Sequence, residues 1–90
     1  MPTIRIPGPL RKLTGNLEEI SVNGRTLKDA LEQLNSTFPG LGERILDEQG
    51  EIRRFVNIFV NDEDVRFLQV TKTAVDETDV ISIVPAIAGG

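Results

Sequence analysis

Ninety residues allow one small domain, burying about 60–65% of the surface its unfolded chain exposes. The chain has no Cys, His, Trp or Tyr, which excludes a disulfide framework, a thiolate nucleophile or metal site, and an imidazole general base. Its net charge of −4, from 14 acidic and 10 basic residues, argues against nucleic acid as the main partner, because phosphate binding needs a basic stripe.

In chain order, residues 3–7 alternate polar and apolar and predict a half-buried strand with Ile4 and Ile6 inward. Pro7-Gly8-Pro9 breaks it, and residues 10–16 read as a loop ending at Gly15-Asn16. Residues 17–22 predict a second strand with Ile20 and Val22 inward, hairpinned to the first, and Asn23-Gly24 turns the chain. A helix opens at Thr26, a good N-cap, with Asp29 where an acid favours the positive end of the dipole. Leu27, Ala30, Leu31, Leu34 and Phe38 then make one apolar stripe, and Pro39-Gly40 ends it.

Residues 41–46 predict a short helical turn anchored by Ile45 and Leu46, followed by a polar turn over 47–51. Residues 55–60 form the clearest strand, and Asn61 to Asp64 a surface turn without the ligand spacing of a calcium loop. A short strand is expected over 65–67 and irregular elements over 68–78. The β-branched run ending in Val84 and Pro85 is the last strand, and Pro85, lacking an N–H, marks where ladder pairing should cease. The expected fold is an α+β roll, a mixed sheet of four or five strands with one main helix, its first and last strands parallel at the centre. Residues 1–85 would be that domain and residues 86–90 a flexible Gly-Gly tail.

Chemistry points to that tail. Carboxylates, Lys, Ser and Thr are the reactive side chains left, and none is grouped in a catalytic motif, so the chain is expected to be handed to enzymes rather than to be one. Ala86-Ile87-Ala88-Gly89-Gly90 would project from a rigid strand. Without Cβ atoms, Gly89 and Gly90 can pass a channel too narrow for any side chain and leave both faces of a carboxylate open. No apolar run reaches membrane-spanning length and no leader pattern opens the chain, so a cytoplasmic address with no membrane partner is expected.

The element order, the length and the diglycine resemble the ubiquitin-like β-grasp proteins, and among them the bacterial sulfur carriers of the MoaD/ThiS family. The stretch from Arg54 to Phe67 and the segment Val84-Pro85-Ala86-Ile87-Ala88-Gly89-Gly90 are most similar to the mycobacterial carriers of cysteine synthesis. The resemblance implies that an E1-like adenylating and sulfurtransferase enzyme, using ATP and Mg²⁺, adenylates the Gly90 carboxylate. A sulfur donor then leaves a thiocarboxylate there. It implies no cofactor bound to the chain itself. An acceptor enzyme, cysteine synthase-like or the large subunit of molybdopterin synthase, would consume the sulfur. The small subunit of molybdopterin synthase, a ubiquitin-like protein modifier, and an interaction domain with an incidental glycine end stand as alternatives.

Strand alternation suggests the docking surface. With Val56, Ile58 and Val60 toward the core, Phe59 and Phe55 point outward, and with Ile81 and Ile83 inward, so does Val84. Phe59 and Val84 would then form an apolar patch near the tail, with Ile87 and Ala88 as further partner contacts. The opposite register, Phe59 in the core and Val60 exposed, stays open at this point.

Overall fold

The computed structural model describes residues 1–85. Strand β1 (Thr3–Arg5) and strand β2 (Glu19–Ser21) pair antiparallel with Ile4 opposite Ile20. The connection between them is a 3-10 helix over Gly8–Thr14, not the loop expected from its Pro and Gly content. It forms because Pro at its start needs no N–H partner and because Leu10 (8% exposed) and Thr14 (2% exposed) are buried. The Thr14 hydroxyl lies 3.0 Å from the Arg11 carbonyl within the segment and 3.1 Å from the Leu17 carbonyl beyond it. Gly15 then turns with φ 66°, a conformation that glycine adopts without a Cβ penalty.

Helix α1 (Leu27–Thr37) begins as its sequence dictates. Thr26 Oγ1 accepts the Asp29 N–H at 3.2 Å, satisfying one donor of the first turn. The stripe Leu27, Ala30, Leu31 and Leu34 is fully buried, while Phe38 is half-buried at the helix end. Pro39 ends α1 and also starts a second helix, α2 (Pro39–Ile45), longer than the single turn expected. The anchors of α2 are Leu41 and Ile45, whereas Leu46 is only half-buried, because it falls past the helix end in extended conformation.

Strand β3 (Val56–Val60) turns through Asn61 and Asp62, whose φ angles of 51° and 76° make the tight reversal that suits a two-residue hairpin. It leads to β4, which is Glu63–Asp64. The short strand expected over 65–67 is instead a 3-10 helix, Val65–Phe67. The reason is local: the Asp64 carboxylate accepts the Arg66 N–H at 2.9 Å and caps that turn, which pulls the chain away from β3. A further 3-10 turn, Val70–Lys72, precedes strand β5 (Val80–Pro85).

The five strands lie in the order β2-β1-β5-β3-β4. The central pair, β1 and β5, is parallel with Ile4 opposite Ile81, and β3 runs antiparallel to β5 with Ile58 opposite Ile83. The inner face of the sheet therefore carries Ile4, Ile81, Ile83, Ile58 and Val60, all buried with the apolar stripe of α1. One face of the sheet packs on α1 and α2, and the other is left to solvent or partners.

Candidate functional site

Strand β5 carries the residues that precede the tail. It sits between β1 and β3, paired on both sides, so its backbone is fixed by two ladders. β1 ends at Arg5, opposite Ser82, while β3 continues beside β5 until Val56 faces Pro85. Pro85 therefore stands where β1 no longer accompanies β5, and its missing N–H forfeits no bond on that side. The expected reactive residues Gly89 and Gly90, and the expected contacts Ile87 and Ala88, lie outside the described residues. What the structure supplies is their root.

Around that root, alternation settles the register. Ile58 is 1% exposed and Val60 7%, so Phe59 points to the outer face, where it is half-buried. Val84 is on the same face and 44% exposed. Phe59 is opposite Ser82 and Val84 is opposite Asn57, so the two are diagonal neighbours, within reach for an aromatic ring. Phe55, just before β3, is 60% exposed. The structure thus brings Phe59 and Val84 together on the outer face beside the start of the tail.

Ion pairs flank this apolar strip. On one side Arg5 Nε lies 3.5 Å from Glu19 on the neighbouring strand, both largely exposed. On the other, Asp64 is opposite Phe59, and Arg66 Nη2 lies 2.7 Å from its carboxylate. The hydrogen bonds from Arg66, side chain first and backbone second, hold the Asp64 carboxyl below the usual carboxylate range and raise the Arg66 guanidinium in turn. Among the described residues, no group of His, Cys, Asp and Glu is arranged to hold a metal ion. Among the described residues, no helix is long and apolar enough to cross a membrane.

A second feature escaped the sequence reading. A groove of about 520 Å³ runs along the free side of β3, lined among others by Arg53, Arg54, Arg66 and Lys72. Arg53-Arg54 is visible in the sequence as a dibasic pair, but nothing in the spacing joins it to Lys72, which the topology brings opposite.

A five-stranded mixed sheet with its first and last strands parallel at the centre, crossed by one main helix, is the ubiquitin-like β-grasp roll. It is shared with the solved structure of the Amycolatopsis orientalis BexX/CysO complex, to which the chain is 36% identical with a TM-score of 0.92, covering 100% of both chains. The sequence pattern of the ThiS family matches residues 4–90, and the chain belongs to that family. Among curated relatives, it is 43% identical over 90 residues to the sulfur carrier protein CysO of Mycobacterium tuberculosis, covering 98% of this chain and 97% of the relative. It is also 37% identical over 65 residues to small archaeal modifier protein 3 of Haloferax volcanii, covering 72% of this chain and 70% of that one.

Proposed function

We propose that the chain is a sulfur carrier whose Gly90 carboxylate is the loading point. The observation that carries this reading is that the family match runs through Gly90, so the diglycine belongs to the matched pattern. The carboxylate attacks the α-phosphorus of ATP, pyrophosphate leaves, and an acyl-adenylate forms. A hydrosulfide equivalent adds to the carbonyl, AMP departs, and the product is a thiocarboxylate ionised at neutral pH. The sulfur stays covalently held, nucleophilic and deliverable.

Each part of the chain has a role in that scheme. Gly89 and Gly90 offer no Cβ to obstruct entry into an activating site. The doubly paired β5 holds the tail's root, and Phe59 with Val84 supplies an apolar docking surface beside it. The chain is a co-substrate rather than a catalyst: an E1-like adenylating enzyme supplies ATP, Mg²⁺ and acid–base groups, and an acceptor enzyme takes the sulfur. Cysteine synthesis in the cytoplasm is the destination we favour. The existence of a BexX/CysO complex supports docking to a partner protein as the way such a carrier works.

Intact mass of the protein from its native cells, trapped with an alkylating agent, tests the reading. An oxygen-for-sulfur exchange mapped to Gly90, absent from a variant lacking Gly90, is expected. Normal loading of the truncated variant would refute it. The likeness to an archaeal modifier protein favours a second reading, conjugation to lysines. Isopeptide-linked adducts without any thiocarboxylate would establish that one instead.

A further inference from the structure

The free side of β3 has an unfilled hydrogen-bonding edge. β4 is two residues long and pairs only with Phe59 and Val60, after which the chain turns off into the 3-10 helix Val65–Phe67. In an antiparallel ladder, alternate residues bond to alternate sides. Asn61 N–H donates to the Val80 carbonyl at 2.9 Å, so Asn61, Phe59 and Asn57 face β5, and Val60, Ile58 and Val56 face the other way. Val60 meets Glu63 there, and the Val56 N–H turns back to the Arg53 carbonyl at 3.0 Å. Among the described residues, the Ile58 N–H and the Val56 C=O have no partner on that side. An exposed strand edge is a template for another strand unless something covers it.

The groove along this edge has a charge opposite to that of the chain. Four of the ten Lys and Arg residues line it, against two carboxylates, Glu51 and Asp64, on a chain of net charge −4. Arg66 is committed to Asp64, and the Arg53 Nε donates to the Glu43 carbonyl at 2.7 Å. Arg54 and Lys72 are exposed and have no ion-pair partner among the described residues. Between the cations lie apolar surfaces, Ile52, Val56 and Val70.

We propose that this edge is a docking site for an extended acidic segment of a partner protein, taken up by strand addition beside β3. Backbone groups of the segment satisfy Ile58 and Val56, its carboxylates meet Arg54 and Lys72, and its alternate apolar residues rest on Ile52, Val56 and Val70. The site is separate from the Phe59–Val84 strip, which lies on the outer face of the sheet rather than at its edge, and it does not depend on sulfur loading.

The test is an amide NMR titration of the full chain with a blocked seven-residue peptide alternating valine and glutamate, in low salt. Expected are shifts at Ile58, Gln69 and Lys72, slowed exchange of the Ile58 amide, and affinity that falls as NaCl is added. The lysine counterpart of the peptide should bind about tenfold more weakly or worse, as should the glutamate peptide to the Arg54→Glu/Lys72→Glu variant. Both substituted side chains are exposed, and an unchanged spectrum of the free variant verifies its fold. Absence of binding, equal binding of both peptides, or shifts confined to Phe59 and Val84 would overturn the proposal. So would displacement of the peptide by equimolar inorganic phosphate, which would make the groove a simple anion site.

Discussion

Adjacent residues of β3 should behave oppositely when truncated, because one is core and the other is surface. Ile58 is 1% exposed and faces Ile83 on the inner side. Ile58→Ala removes buried methyl groups and leaves a cavity, costing about 2–5 kcal/mol. The whole domain holds only about 5–14 kcal/mol, at roughly 0.05–0.15 per residue. Phe59 is half-buried on the outer face opposite Ser82 and Asp64. Half of the burial of a Phe side chain is about 1 kcal/mol, so Phe59→Ala should cost no more than that. Partner affinity reverses the order. A central aromatic anchor at an interface is worth about 2 kcal/mol or more, roughly 30-fold in Kd. Phe59→Ala should therefore weaken binding to the proposed adenylating enzyme by about that factor, while folded Ile58→Ala binds as the parent does. Urea titration gives the first quantity and calorimetric titration against the enzyme gives the second. A stability loss for Phe59→Ala equal to that of Ile58→Ala, or an unchanged enzyme affinity, would refute the assignment of the outer face as the docking surface.

Three other perturbations follow from particular contacts. Gly42 is buried where α2 meets α1, and a Cβ there would stand 2.6 Å from Asn35 Cβ. Gly42→Ala should gain about 1 kcal/mol in helix propensity and lose about 1–3 to overpacking, a net destabilisation that Asn35→Gly partly relieves in a double-mutant cycle by denaturation. Val70 has φ 51°, and a β-branched side chain in that region is strained. Val70→Gly should raise unfolding free energy by up to about 1 kcal/mol in a urea titration. The Asp64 carboxyl is held low by Arg66, so its stabilising contribution is complete above the unfolded carboxylate value of about 3.9. It is lost as pH falls through the lower folded value. Asp64→Asn should therefore melt below the parent at neutral pH and converge with it in acid, measured as Tm from pH 2 to 7.

Elements with a dense local signal were legible in the sequence. Thr26 with Asp29 marks the start of α1, and the spacing of Leu27, Ala30, Leu31 and Leu34 marks its buried face. The β-branched runs mark β3 and β5, and the parallel pairing of β1 with β5 follows once a helix must cross between them. The 3-10 segment Gly8–Thr14 was not legible, because Pro and Gly signal a break without saying that Leu10 and Thr14 will be buried under it. The second helix was underestimated for a related reason: Pro39 both stops one helix and suits the first turn of another.

The candidate site divides along the same line. The register that exposes Phe59 is over-determined, since a one-residue slip would bury Asn57 and Ser82 in place of Ile58 and Ile83. The alternation of β3 left both registers open, and the burial of Ile58 and Val60 decides for the one that turns Phe59 outward. The open edge of β3 has no such signature. It exists because β4 stops after Glu63–Asp64, and β4 stops because the Asp64 carboxylate caps the turn at Arg66 rather than letting residues 65–67 continue the ladder. One side chain thus trades two or three strand residues for an uncovered edge, and the same turn carries Arg66 into the groove opposite Arg54. A surface made by where a strand ends, rather than by what it contains, is visible only when the hydrogen bonds are traced.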